Sequence, residues 1–131
     1  MTGHDFYRLT LATIPADAWK YRKAPFGSHA VHIHIGDYVL SIIAGAGTYS
    51  TPRGALGSLR DYDTVEVAFG TADGRWCRPS EVGVAYMDDQ WESGECPVGP
   101  RVPWEDVTRL FCGIAAKAGL TINETNTAVR T

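Results

Sequence analysis

Residues 31–35, Val-His-Ile-His-Ile, alternate apolar and polar side chains without a break. Such period-two alternation of β-branched residues predicts a strand with one face toward a core. Gly36-Asp37 follows, and then a second apolar run over residues 38–43. Two strand-like runs joined by a two-residue Gly-X turn predict an antiparallel hairpin. A third run, Tyr62-Asp-Thr-Val-Glu-Val-Ala-Phe69, turns Val65, Val67 and Phe69 one way and Thr64, Glu66 and Ala68 the other. An Asp73-Gly74 turn then predicts a short returning strand over residues 76–78, ended by Pro79. Residues 81–87 read as one more strand. Residues 88–101, with Asp88, Asp89, Glu92, Glu95, Pro97 and Pro100, read as an acidic surface loop.

The period changes near the C-terminus. Trp104, Val107, Phe111, Ile114 and Ala118 recur at spacings of three and four, which makes one apolar helical stripe. Pro103 suits the first helical position, Glu105 and Asp106 suit the positive end of the helix, and Gly119 suits its C-terminal cap. Residues 120–131 are polar and read as a frayed tail. Residues 1–27 are weakly patterned: residues 7–14 alternate as a strand does, and residues 15–23 carry helix formers behind Pro15 and stop before Pro25. The sum is an α+β fold, a small antiparallel β-sheet with one C-terminal amphipathic helix packed on it, in a single domain over residues 1–131.

Between the second and third predicted strands runs a seventeen-residue segment, residues 45–61, rich in glycine and carrying Arg53 and Arg60. Loops longer than about 12–15 residues without structure of their own are usually functional or disordered, so function is sought there first.

Composition narrows the classes. At 131 residues and 44% apolar content the chain can bury a core without staples. A formal net charge of −3 gives no general attraction to nucleic acid or to an anionic membrane, although a local basic patch is compatible with it. No apolar run approaches the roughly 20 residues that span a bilayer. Cys77, Cys96 and Cys112 form no C-x-x-C pair, which points to free thiols in a reducing cytoplasm.

Candidate chemistry is sparse. His32 and His34 share one strand face, roughly 7 Å apart by strand rise, and could hold a metal as the core of a small hydrolase site, with His29 and Asp37 near in sequence. A metal site normally needs a third ligand, and a polar outer strand face is the simpler reading. The run Gly45-Ala-Gly47 lacks the Gly-Lys-Ser/Thr ending of a phosphate loop, but its backbone donors can hold an anion. No G-x-S-x-G elbow and no cysteine in a nucleophile's context is present, which argues against an enzyme. Arginine offers a planar fork for phosphate, so the expected ligand-binding residues are Tyr49, Arg53, Arg60 and Arg109. No cofactor is expected.

The order of segments resembles that of a class of small phage-encoded proteins. The resemblance rests on residues 38–43, on Tyr49-Ser-Thr-Pro-Arg53, on Tyr62-Asp-Thr-Val-Glu-Val67 and on Val102-Pro-Trp-Glu-Asp-Val107, and covers roughly residues 38–118. The layout is also similar to that of the anti-Thoeris sponge proteins of phages. That resemblance implies a non-enzymatic counter-defence protein that sequesters a cyclic ADP-ribose or cyclic oligonucleotide signal. It further implies a homo-oligomer in the host bacterial cytoplasm, with arginines and aromatics holding the ligand. The alternative partner is a host defence protein, such as a CRISPR-type complex, blocked by the acidic residues 88–95.

Overall fold

The computed structural model describes residues 1–23, 28–46, 48–52, 54, 56–94 and 97–122. Its centre is the expected hairpin. Strand β2 (His29–Ile35) pairs antiparallel with β3 (Tyr38–Ala44), with Ile35 opposite Tyr38. Gly36 closes the turn at φ +58°, a conformation that costs glycine little. Strand β1 (Trp19–Lys23) adds beside β2, β4 (Thr64–Thr71) beside β3, and β5 (Gly99–Pro103) beside β4. The result is a five-stranded, wholly antiparallel sheet in the order β1-β2-β3-β4-β5.

Alternation decides the faces. Val31, Ile33 and Ile35, with Leu40, Ile42, Val65, Val67 and Phe69, are buried on one face. His32, His34, Ser41 and Glu66 lie on the other. Helix α2 (Trp104–Lys117) covers the buried face with Trp104, Val107, Phe111 and Ile114. Gly119, at φ +82°, follows its C-terminal cap. This is the α+β arrangement that the periodicities predict. Pro103 sits one place earlier than expected, as the residue that caps the helix.

The N-terminal region differs. Residues 7–14 are not a strand. Helix α1 (Gly3–Thr13) runs through them, and its buried residues Gly3, Phe6, Tyr7, Leu9 and Thr10 recur at spacings of three and four. The alternation of Tyr7, Leu9 and Leu11 is coincidental, because Leu11 is exposed. A capping box starts the helix: the Thr2 hydroxyl accepts from the Asp5 amide, and the Asp5 carboxylate accepts from the Thr2 amide. Nor are residues 15–23 a helix. A single 3₁₀ turn, Ala16–Ala18, leads into β1, where Trp19 packs inward. Phe6 joins the two helices, with its ring 5.3 Å from that of Trp104 and 5.9 Å from that of Phe111.

The segment after β4 also departs from expectation. The strand expected over residues 76–78 shrinks to a bridge between Gly70 and Trp76. Residues 81–87 form no strand; two 3₁₀ helices, Pro79–Val82 and Ala85–Gln90, take their place. Local 3₁₀ hydrogen bonds satisfy most of this backbone, and side chains tie its ends together. Arg78 donates to the carbonyls of Asp88 and Glu92, and the Ser80 amide donates to the Asp88 carboxylate. Gly113 on α2 lets this segment come close, since a Cβ there would stand 2.5 Å from the Val82 carbonyl oxygen. The expected acidic loop gives up its end to β5, and Trp91 is buried over Gly99.

Anchors hold the described part of the long loop. The buried Tyr62 accepts at its hydroxyl from the Leu56 amide at 2.9 Å and donates to the Gly54 carbonyl at 2.7 Å. His29 Nε2 lies 2.7 Å from the Leu56 carbonyl oxygen, and a carbonyl only accepts, so that nitrogen carries the proton. A 3₁₀ turn, Leu59–Asp61, ends the loop with Leu59 buried. Arg53 and Gly47 lie outside the described residues, as do Cys96, Glu95 and residues 123–131 of the tail. Cys77 is a buried free thiol.

Two stability outcomes follow from this packing. Phe111→Ala empties a fully buried site between α1 and α2, so it is expected to lower unfolding free energy by roughly 3–5 kcal/mol. A urea midpoint equal to wild type would show that the stripe is not core. Tyr62→Phe leaves the Leu56 amide and the Gly54 carbonyl without their partner at an almost unchanged core volume. A loss of about 1–3 kcal/mol is expected, with amide exchange at Leu56 faster than in wild type.

Candidate functional site

A cleft of about 420 Å³ opens where β1, the start of β2, α1 and the end of the long loop meet. Tyr7, Tyr21, Arg22, His29, Ser58 and Arg60 line it, and among the described residues no carboxylate does. Its size falls within the range of small-molecule sites.

Each side chain is placed by a local cause. Arg60 rides on the 3₁₀ turn, and its guanidinium stacks 4.8 Å from the centroid of the Tyr7 ring. Helix α1 starts hard against it: a Cβ on Gly3 would stand 2.5 Å from the Arg60 carbonyl oxygen. Tyr7 is buried from α1, and burial first, then Tyr21 beside it, pushes its phenol far above the usual range. Tyr7 therefore stays neutral and serves as a rigid aromatic floor. Tyr21 is 65% exposed, yet its ring stacks on the buried Trp19 at 6.2 Å. Its outer ring face is free for another planar group. Arg22 projects from the same edge strand.

The cleft gathers two arginines that lack a carboxylate partner, a state that among the described arginines Arg101 shares elsewhere. Arg8, Arg75, Arg78 and Arg109 each lie within ion-pair distance of a carboxylate. Among the described residues Arg22 and Arg60 form no such pair. Two cations without a carboxylate partner, the Ser58 hydroxyl that accepts from Arg60 Nε, and an exposed ring make a place suited to an anion that carries a planar group.

The four residues singled out from the sequence do not come together here. Only Arg60 lines the cleft. Tyr49 lies at the opposite side of the sheet, where its amide donates to Glu66 and its carbonyl accepts from the Arg101 amide. Its ring is 44% exposed and 5.6 Å from the Arg101 guanidinium. Arg109 lies on α2 with Asp106 at 3.5 Å and the Tyr86 hydroxyl at 3.2 Å, a small polar cluster of its own. Arg53 is outside the described residues. Tyr7, Tyr21 and Arg22 were not anticipated, and His29 was singled out only as a companion of His32 and His34 at a metal site. A usable signal was present in Trp-Lys-Tyr-Arg-Lys, where aromatics and cations alternate with the period of a strand.

His32 and His34 share the helix-free face of the sheet, as expected from their spacing. Burial, then Arg22, then His34 hold the His32 imidazole below its ordinary range, so it is neutral near pH 7. Among the described residues, no group of three His, Cys, Asp or Glu side chains is placed to hold a metal ion. No helix among them is long and apolar enough to cross a membrane.

No protein-family model matches this chain, and neither a curated protein nor a solved structure matches it. The functional reading therefore rests on the cleft.

Proposed function

We propose that the chain is a non-enzymatic binding protein of the phage counter-defence kind. It sequesters a phosphorylated, base-bearing immune signal, a cyclic oligonucleotide or a cyclic ADP-ribose, in the cleft at the β1 edge. In this reading it works in the host cytoplasm as a homo-oligomer. One observation supports it above the others: Arg22 and Arg60 line the same cleft as the exposed Tyr21 ring, and among the described residues no carboxylate lines it. The guanidinium groups would take phosphate oxygens, and Tyr21 would stack on the base. The titratable lining groups favour binding over catalysis. The Tyr7 phenol is held neutral, and His29 Nε2 is engaged by the Leu56 carbonyl.

Calorimetry with a panel of cyclic ADP-ribose isomers and cyclic oligonucleotides tests the proposal. At least one member is expected to bind wild type, more weakly as salt rises. Arg60→Ala removes a charge-assisted hydrogen bond and is expected to weaken that binding roughly ten- to a hundredfold. Arg109→Ala, with its guanidinium beside Asp106, is expected to leave it within about twofold. If no member of the panel binds, the sequestration reading fails. If Arg60→Ala binds as well as wild type, the ligand sits elsewhere.

A further inference from the structure

The two edges of the sheet are built differently. Along β5, Pro100 and Pro103 have no amide proton, Arg101 stands at φ +49°, and its amide is already committed to the Tyr49 carbonyl. A register shift between Val65 and Val67 bends the same edge. These are devices that stop strand addition. Strand β1, Trp-Lys-Tyr-Arg-Lys, has no proline and keeps a regular five-residue register with β2. Among the described residues nothing pairs with its other side.

That open edge is cationic. Lys20 and Arg22 lie on the helix-free face of the sheet, opposite His32 and Ala30, and neither has a carboxylate partner among the described residues. Arg60 and His29 lie close by, across the cleft that Tyr21 and Arg22 also line. A second copy is poorly suited to this edge. In any antiparallel β1–β1 register that keeps the faces aligned, the only outward-facing side chains brought together are Lys20 and Arg22, and like charges directly opposite are destabilising. The same positions favour a strand that carries carboxylates.

We infer that the free edge of β1 is a docking site for an extended acidic peptide of another protein, which adds to the sheet as a sixth strand. Its backbone pairs with the open donors and acceptors of residues 19–23. Carboxylates at alternating positions meet Lys20 and Arg22, and the intervening apolar side chains lie along Tyr21 on the other face. This interaction does not require a ligand in the cleft.

The test uses the intact protein and short synthetic peptides, with affinity read by fluorescence anisotropy. A peptide alternating valine and glutamate is expected to bind roughly tenfold or more tightly than one alternating valine and lysine. Binding should slow amide exchange across residues 19–23. An analogue methylated at every amide nitrogen keeps its carboxylates and loses its donors, and its affinity is expected to drop by about tenfold or more. The double variant Lys20→Glu/Arg22→Glu, with an unchanged circular-dichroism spectrum, is expected to reverse the preference toward the lysine peptide. Equal binding of the methylated analogue would overturn the inference, because attraction without strand pairing would then explain the contact. So would the absence of binding by the glutamate peptide, or binding with no protection at β1.

Discussion

Tyr62 is the joint on which the rest of the structure depends. Its carbonyl accepts the Trp104 indole proton at 2.6 Å, inside the apolar layer between sheet and helix. Its hydroxyl, at the other end of the same buried side chain, holds both Gly54 and Leu56. One residue thus fixes the first turn of α2 to the entry of β4 and also sets the path of the long loop. A bonded donor and acceptor in a water-poor setting can be satisfied in few ways, so this arrangement specifies geometry as well as adding stability. The Phe6 ring extends the joint by packing on Trp104, which brings α1 into place. From there, the close approach of Gly3 to the Arg60 backbone carries the constraint to the rim of the cleft.

The parts of the fold that were legible in the sequence have one periodicity and local partners. The β2–β3 hairpin needed only alternation and a glycine turn, and α2 needed only its apolar stripe. The parts that were not legible take their partners from far along the chain. Helix α1 has a capping box at Thr2 and Asp5, but its apolar residues read equally well as alternation once the window starts at Tyr7. Residues 81–87 look like a strand because Val82, Val84 and Met87 are apolar. Their amides, however, bond to carbonyls a few residues back in 3₁₀ turns, and Arg78 and Asp88 tie the ends of the segment together, which no period in a sequence reveals.

The candidate site divides in the same way. Arg60 could be picked out because it lies in a long glycine-rich loop, and the structure places it at the cleft. Arg22, Tyr21 and His29 could not be joined to it, because strand pairing and the packing of α1 bring them there. Tyr49 and Arg109 carry suitable chemistry, but each is already engaged, Tyr49 with Glu66 and Arg101 and Arg109 with Asp106 and Tyr86. Residue type suggested what could bind an anion; only the fold shows which of those groups are left without a neighbour of opposite charge.

Gly113 has a consequence for which changes the two segments can absorb. Any side chain there would press into the carbonyl of Val82 and the methyl group of Val84, so α2 and the 3₁₀ segment are locked together. A substitution at 113 finds room only if the turn at 82–84 moves. That turn is held by its own backbone, the Gly83 and Val84 amides donating to the Ser80 and Pro79 carbonyls. Position 113 and the turn therefore tolerate change together or not at all.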